Sequence, residues 1–91
     1  MKSDLYYIYV LLSLKDNNLY IGCTSNLDKR LKYHNQGRVK STQNRRPFKL
    51  VYFEEYTDKY LAFKTERSYK TAKGKRILKS KIKNNTYSGV V

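Results

Sequence analysis

Chemistry in this chain has to come from a short list of side chains. There is one histidine, His34, and one cysteine, Cys23, beside seven carboxylates, ten tyrosines and twenty lysines and arginines. A single histidine excludes paired-histidine phosphodiesterase chemistry and His-only metal cages. A single cysteine can form neither an internal disulfide nor a thiolate zinc site. Among the carboxylates Glu66 stands out, because residues 61–91 carry nine basic side chains and no other acid. Within YLAFKTERSYK, helical spacing puts Ala62, Glu66 and Tyr69 on one stripe, turning Glu66 toward the body of the domain. A carboxylate placed there needs a compensating charge. It can come from an ion pair with Arg67 or Lys70. Alternatively, Glu66 is a single oxygen ligand for Mg²⁺, with water and a phosphate completing the shell.

Arg30 is the second candidate. It lies three residues after Leu27 and four before His34, on the border of an apolar helical stripe. A salt bridge to Asp28 or Glu66 is one role; clamping a phosphate with its rigid fork of donors is the other. His34 shares that edge one turn on, although a solitary histidine is more often a structural hydrogen bonder. Tyr9 and Tyr20 lie on two strands of a hairpin. Tyrosines in strands mostly pack, but a phenol beside a metal or guanidinium can orient or deprotonate a water, because nearby positive charge lowers its pKa.

The elements that must hold these residues are readable in outline. Residues 5–14 (LYYIYVLLSL) are β-branched and aromatic, apolar on both faces and short, which predicts a buried central strand. Lys15–Asn18 is turn chemistry, and 19–22 (LYIG) is the returning strand. Ser25 and Asp28 have the spacing of a helix N-cap and first-turn acid. Leu27, Leu31 and His34 form its stripe, and Gly37 stops it. Residues 38–48 make a long polar connection. Residues 49–56 (KLVYFEEY) are a third strand, and Thr57 or Asp58 caps a helix over 59–72. Gly74 interrupts, and 75–83 is a short helix with Ile77, Leu78 and Ile82 as its apolar stripe. The order ββαβαα predicts an α+β fold, a three-stranded antiparallel sheet flanked by helices.

Ninety-one residues make one domain with a modest core. The core is expected over about 5–83, followed by a basic mobile tail over 84–91. No run of apolar residues is long enough to span a membrane, and the apolar N-terminal run has no small-residue cleavage site after it. A cytoplasmic location is expected from the cysteine usage. The net charge of +13 attracts polyanions. Lys29, Arg38, Lys40, Arg45, Arg46, Lys64, Arg67 and Lys73 are the candidate nucleic-acid contacts.

Tyr7-Ile8-Tyr9, then Tyr20-Ile21-Gly22 eleven residues on, then Arg30, then Glu66, form an ordered set. Together with LYIGCTSNLDKRLKYHN and RRPFKLVYFEEY, it resembles the GIY-YIG nuclease domain, most closely its small stand-alone bacterial members. The resemblance covers about residues 5–83. It implies a metal-dependent endonuclease in which Tyr9, Tyr20, Arg30, His34 and Glu66 are catalytic. It implies that Glu66 holds one Mg²⁺ or Mn²⁺, and that Gly22 lets backbone approach closely at the site. DNA is the implied partner, with RNA an open alternative, and no membrane is involved. Two positions depart from the pattern. Tyr7 replaces the first motif's glycine, and Cys23 stands where repair-type relatives often carry lysine. Asn84 and Asn85 lie too far into the tail to match the late asparagine of some relatives. Rival readings are a nucleic-acid binding module without catalysis and a small basic protein docked on a protein–RNA particle.

Overall fold

The computed structural model describes residues 5–84. Three strands, β1 (Tyr6–Ser13), β2 (Leu19–Thr24) and β3 (Phe48–Tyr56), form an antiparallel sheet in the order β2-β1-β3. Helices α1 (Leu27–Asn35), α2 (Lys59–Tyr69) and α3 (Ala72–Asn84) complete the α+β order ββαβαα.

β1 is central because both its faces are apolar. Ile8 and Val10 face one way and pack with Ile21, Tyr52, Tyr69 and Leu78, beneath α2 and α3. Tyr9 and Leu11 face the other way and pack with Phe48, Leu27 and Leu31, beneath α1. The sheet therefore carries one core on each face, as a strand without a polar side demands. The hairpin turn uses Asn17 at φ 62°, a left-handed conformation that asparagine tolerates. Gly37, at φ +80°, follows α1 as expected for a helix stop.

Two expected boundaries move and one expected cap holds. The α1 N-cap is Asn26, whose side chain accepts from Lys29 N, while Ser25 is exposed. Asn26 is as good an acceptor as serine and sits immediately before Leu27, where burial begins. Asp58 caps α2, accepting from the amides of Tyr60 and Leu61. Gly74 does not interrupt but lies inside α3, capped by Thr71 Oγ1. A Cβ at Gly74 would come within 2.9 Å of Tyr69 Cα and overlap the Ser68 carbonyl group. The glycine is needed for close packing of α3 on the end of α2. The tail expected to be basic, 84–91, carries no lysine or arginine; apart from Asn84 it lies outside the described residues, as does Asn85. Asn84 itself is exposed at the end of α3.

Candidate active site

Tyr9, Tyr20, Arg30 and His34 meet on the α1 face of the sheet. Tyr9 pairs with Gly22 across the strands and its ring lies directly over that glycine. A Cβ on Gly22 would sit 2.9 Å from Tyr9 Cε2 and nearer still to its hydroxyl end. The role of Gly22 is therefore to make room for the Tyr9 ring. Tyr20, opposite Leu11, brings its ring to 6.4 Å from Tyr9 and 5.1 Å from His34. From α1, Arg30 Nε donates to Tyr9 Oη at 3.3 Å, and His34 Nε2 lies 2.9 Å from the same oxygen.

His34 is fully buried, and its Nδ1 lies 2.8 Å from Thr42 Oγ1. The proton positions follow by assignment. Thr42 has one hydroxyl proton and gives it to Val39 O at 3.3 Å, so Nδ1 carries a proton and donates to Thr42. Nε2 then bears the lone pair and accepts the Tyr9 hydroxyl proton. The result is a directed chain, Arg30 to Tyr9 to His34 to Thr42 to Val39. Burial, with the Arg30 charge adding, lowers the His34 pKa to about 4, so the ring is neutral at physiological pH. Burial also pushes the Tyr9 hydroxyl above its ordinary value, against the pull of Arg30's hydrogen bond.

The Arg30 Nη atoms take no protein acceptor among the described residues. They border an open groove of about 360 Å³ lined by Thr24, Ser25, Asn26, Lys29, Arg30 and Tyr33. Arg38 stacks its guanidinium 4.7 Å from the Tyr33 ring centroid and Lys29 Nζ lies 5.7 Å from it. Lys29, Arg30 and Arg38 thus gather at this groove.

Glu66 arrives differently. It sits on α2, whose Tyr69 packs in the core on the opposite face of the sheet from the cluster. Its charge is felt at Tyr9 and at Cys23, raising both groups' pKa values, with burial the larger cause in each case. It makes no hydrogen bond to the other four residues; its Oε2 pairs with Lys70 Nζ at 2.9 Å, and its side chain is 21% exposed. Of the two compensating charges expected, Lys70 supplies the one seen, and Arg30 bonds Tyr9 in place of either expected carboxylate. Among the described residues no group of three His, Cys, Asp or Glu side chains gathers anywhere. One carboxylate with a free oxygen edge still suits Mg²⁺, which keeps most of its waters and takes one or two protein carboxylates plus substrate phosphate. Cys23 is no thiolate, since burial and Glu66 both raise its pKa.

The other expected cationic contacts divide. Lys40 is exposed on the connection after α1, Lys64 and Arg67 lie on the outer face of α2, and Lys73 on α3. Arg45 is already engaged: Nε donates to Asp16 at 2.8 Å and Nη2 to Asn18 O at 3.2 Å. Arg46 Nε donates to Gln43 O. These two arginines fasten the connection to the β1–β2 turn and to itself. Thr42, which holds His34, was not among the residues expected from sequence. Its only signal was a hydroxyl within the long connection after the helix.

A family model for the GIY-YIG catalytic domain matches residues 5–83. The chain belongs to the GIY-YIG family. Among curated relatives, a UPF0213 protein of Lactiplantibacillus plantarum is 48% identical over 71% of this chain and 66% of its own length. A UPF0213 protein of Clostridium perfringens is 52% identical over 58% of this chain and 57% of its own. The chain thus spans less than two thirds of those two relatives. A solution NMR structure of a UPF0213 protein from Bacillus halodurans is 34% identical, covers 84% of this chain and 83% of that one, and superposes with a TM-score of 0.53. The GIY-YIG assignment places this domain in a nuclease superfamily, and no described helix is long and apolar enough to cross a membrane.

Proposed function

We propose that this GIY-YIG domain is a divalent-metal-dependent endonuclease that hydrolyses phosphodiester bonds in DNA, guided by substrate structure or without specificity. The observation that carries the reading is the Arg30–Tyr9–His34 chain, whose Arg30 end lines an open groove. A buried tyrosine hydroxyl needs partners in any fold; what favours a site here is that the guanidinium holding it also lines that groove and has no carboxylate partner among the described residues.

Water attacks phosphorus in line with the leaving 3′ oxygen. Arg30 does two things in this arrangement. Its Nε holds the Tyr9 oxygen, and its Nη atoms face the groove, where they stabilise the extra negative charge of the transition state. Tyr9 takes a proton from the attacking water as it passes its own to His34 Nε2. The resting cluster does not hold a phenolate. Burial holds the Tyr9 hydroxyl above its ordinary value and lowers the His34 imidazole to about 4, so both groups rest neutral. The relay therefore operates only as charge develops on the water. Thr42 holds the imidazole in the accepting tautomer, and Tyr20 walls the ring. Glu66 would hold Mg²⁺ or Mn²⁺, which supplies charge neutralisation at the phosphate and leaving oxygens. Lys29 and Arg38 would meet a phosphate backbone at the groove, and Lys40, exposed on the connection after α1, would add a further phosphate contact.

The Lys70–Glu66 pair favours one other reading, a nucleic-acid binding module in which lysine occupies the carboxylate permanently. Cleavage of an end-labelled DNA strand with Mn²⁺ separates the two. The nuclease reading predicts products with 5′-phosphate and 3′-hydroxyl ends, and a loss of at least about 100-fold in Arg30→Ala from removing its charge at the transition state. Metal-independent binding with no product in any divalent ion supports the binding module.

A further inference from the structure

Two large side chains on α2 belong to neither core cluster and are exposed. Tyr60 is 79% exposed and Phe63 42% exposed. Helical spacing places Phe63 one turn before Glu66 and Tyr60 one turn before Phe63. Each three-residue step advances about 4.5 Å along the axis, so the two rings trail Glu66 at about 4.5 and 9 Å. Lys64 lies one turn from Tyr60 and Arg67 one turn from Phe63, and neither pairs with a carboxylate among the described residues. Two exposed rings and two cations without a carboxylate partner therefore share the outer face of α2, beside the stripe that carries the candidate metal ligand.

The charge around the rings selects the occupant. α2 and α3 together carry nine lysines and arginines and a single acid, Glu66. An apolar protein partner would gain the rings but would have to desolvate that charge. A nucleic-acid strand satisfies both, offering phosphates to the cations and flat base faces to the rings. A duplex buries its base faces in its own stack, so only unpaired bases present them.

We infer that Phe63 and Tyr60 form a stacking platform for unpaired bases of a DNA strand whose backbone passes Glu66, which makes single-stranded or frayed DNA the substrate class. The inference rests on the reading of the Glu66 and Arg30 site as one that handles phosphodiesters. Lys64 and Arg67 hold the phosphates between stacked bases, and the bond presented to the site lies within one or two nucleotides of those bases.

Fluorescence anisotropy in the absence of divalent metal tests this, with labelled oligothymidylate and a duplex of equal length as probes. The wild type should prefer the oligothymidylate. The Tyr60→Ala/Phe63→Ala variant should lose at least about 10-fold on it while changing less than about twofold on the duplex. The Tyr60→Phe/Phe63→Tyr variant keeps both rings and should bind as the wild type does. All these side chains are exposed, so thermal unfolding should be unchanged. Equal losses on both probes, or no loss on either, would overturn the inference. So would a wild-type dimer that the alanine variant converts to monomer, because the rings would then face a second copy. Since no metal is present, the result does not depend on cleavage. Stacking preference in a protein that never cuts leaves the platform standing and removes the nuclease reading; cutting without the preference does the reverse.

Discussion

Tyr9 is the residue on which the candidate site turns, and two of its neighbours make its environment measurable. Gly22 leaves the space that the Tyr9 ring fills. In Gly22→Ala the new Cβ would overlap the phenol, force the ring off Arg30 and His34, and so lower cleavage by about 100-fold or more, with destabilisation of roughly 1–3 kcal/mol from overpacking. Cleavage rates and denaturant midpoints of the variant check both parts; normal activity would mean that the Tyr9 position does not matter. His34 gives a pH signature. Its pKa is held down from 6.5 to about 4. Between those values the unfolded chain binds a proton that the folded one refuses, so stability falls as pH drops through 6.5 and levels off near 4. By pH 5 the loss should reach roughly 2 kcal/mol, a fall in Tm of about 10 °C. Asp16 and Glu54, whose carboxyls are held below their ordinary values, contribute only at more acid pH. Because the chain has one histidine, His34→Gln should flatten the melting curve series between pH 7 and 5; a wild-type series already flat would contradict a buried neutral ring. At this scale the sequence was informative about identity and silent about contact. It pointed to Tyr9, Arg30 and His34, but the bond from His34 to Thr42 depends on how the connection after α1 returns, and no local pattern encodes that.

At the scale of elements, the central strand was legible because burial on both faces leaves an unbroken apolar run. The starts of α1 and α2 were legible to within a residue, since Ser25 and Asn26 are chemically equivalent caps and only Leu27's burial sets the phase; α3 begins at Ala72, three residues before the expected start. Gly74 was misleading for a physical reason. Its low helix propensity is outweighed by the close approach of α2's last turn, which a side chain would forbid. A second network escaped the sequence altogether. Glu54 accepts from Tyr52 at 2.5 Å, Tyr56 at 2.6 Å and Tyr69 at 2.8 Å, with Lys81 Nζ 3.3 Å away. Tyr52, Glu54 and Tyr56 alternate on β3, so their shared face was available from period two; their partners on α2 and α3 were not. Burial opposes ionisation of Glu54, but the three phenols and Lys81 outweigh it and lower its pKa, while burial and the carboxylate raise those of the tyrosines. This carboxylate ties β3 to both helices that carry the Glu66 side of the molecule. Glu54→Ala should cost about 3 kcal/mol by leaving buried hydroxyls without an acceptor, lowering Tm by more than about 10 °C. A melting temperature within a degree or two of wild type would show that the hydroxyls find other partners.

Across the whole molecule, charge and topology divide the work. The sheet holds its phenol–imidazole cluster on the α1 face, and α2 carries the one acid of the basic C-terminal third. The net charge of +13 gives general attraction to nucleic acid, which salt weakens through counterion competition. It cannot by itself cut a strand. Cutting needs Glu66 and the Arg30–Tyr9–His34 cluster to act on one phosphate. The most direct measurement is the relaxation of supercoiled plasmid in Mg²⁺ or Mn²⁺ by the wild type, Glu66→Gln and the Glu66→Gln/Arg30→Ala double variant, each purified identically. The account predicts metal-dependent nicking by the wild type, abolished by EDTA and by both variants while their folds persist by circular dichroism. Nicking that survives in the double variant, or a well-folded wild type that never nicks in either metal, would contradict it.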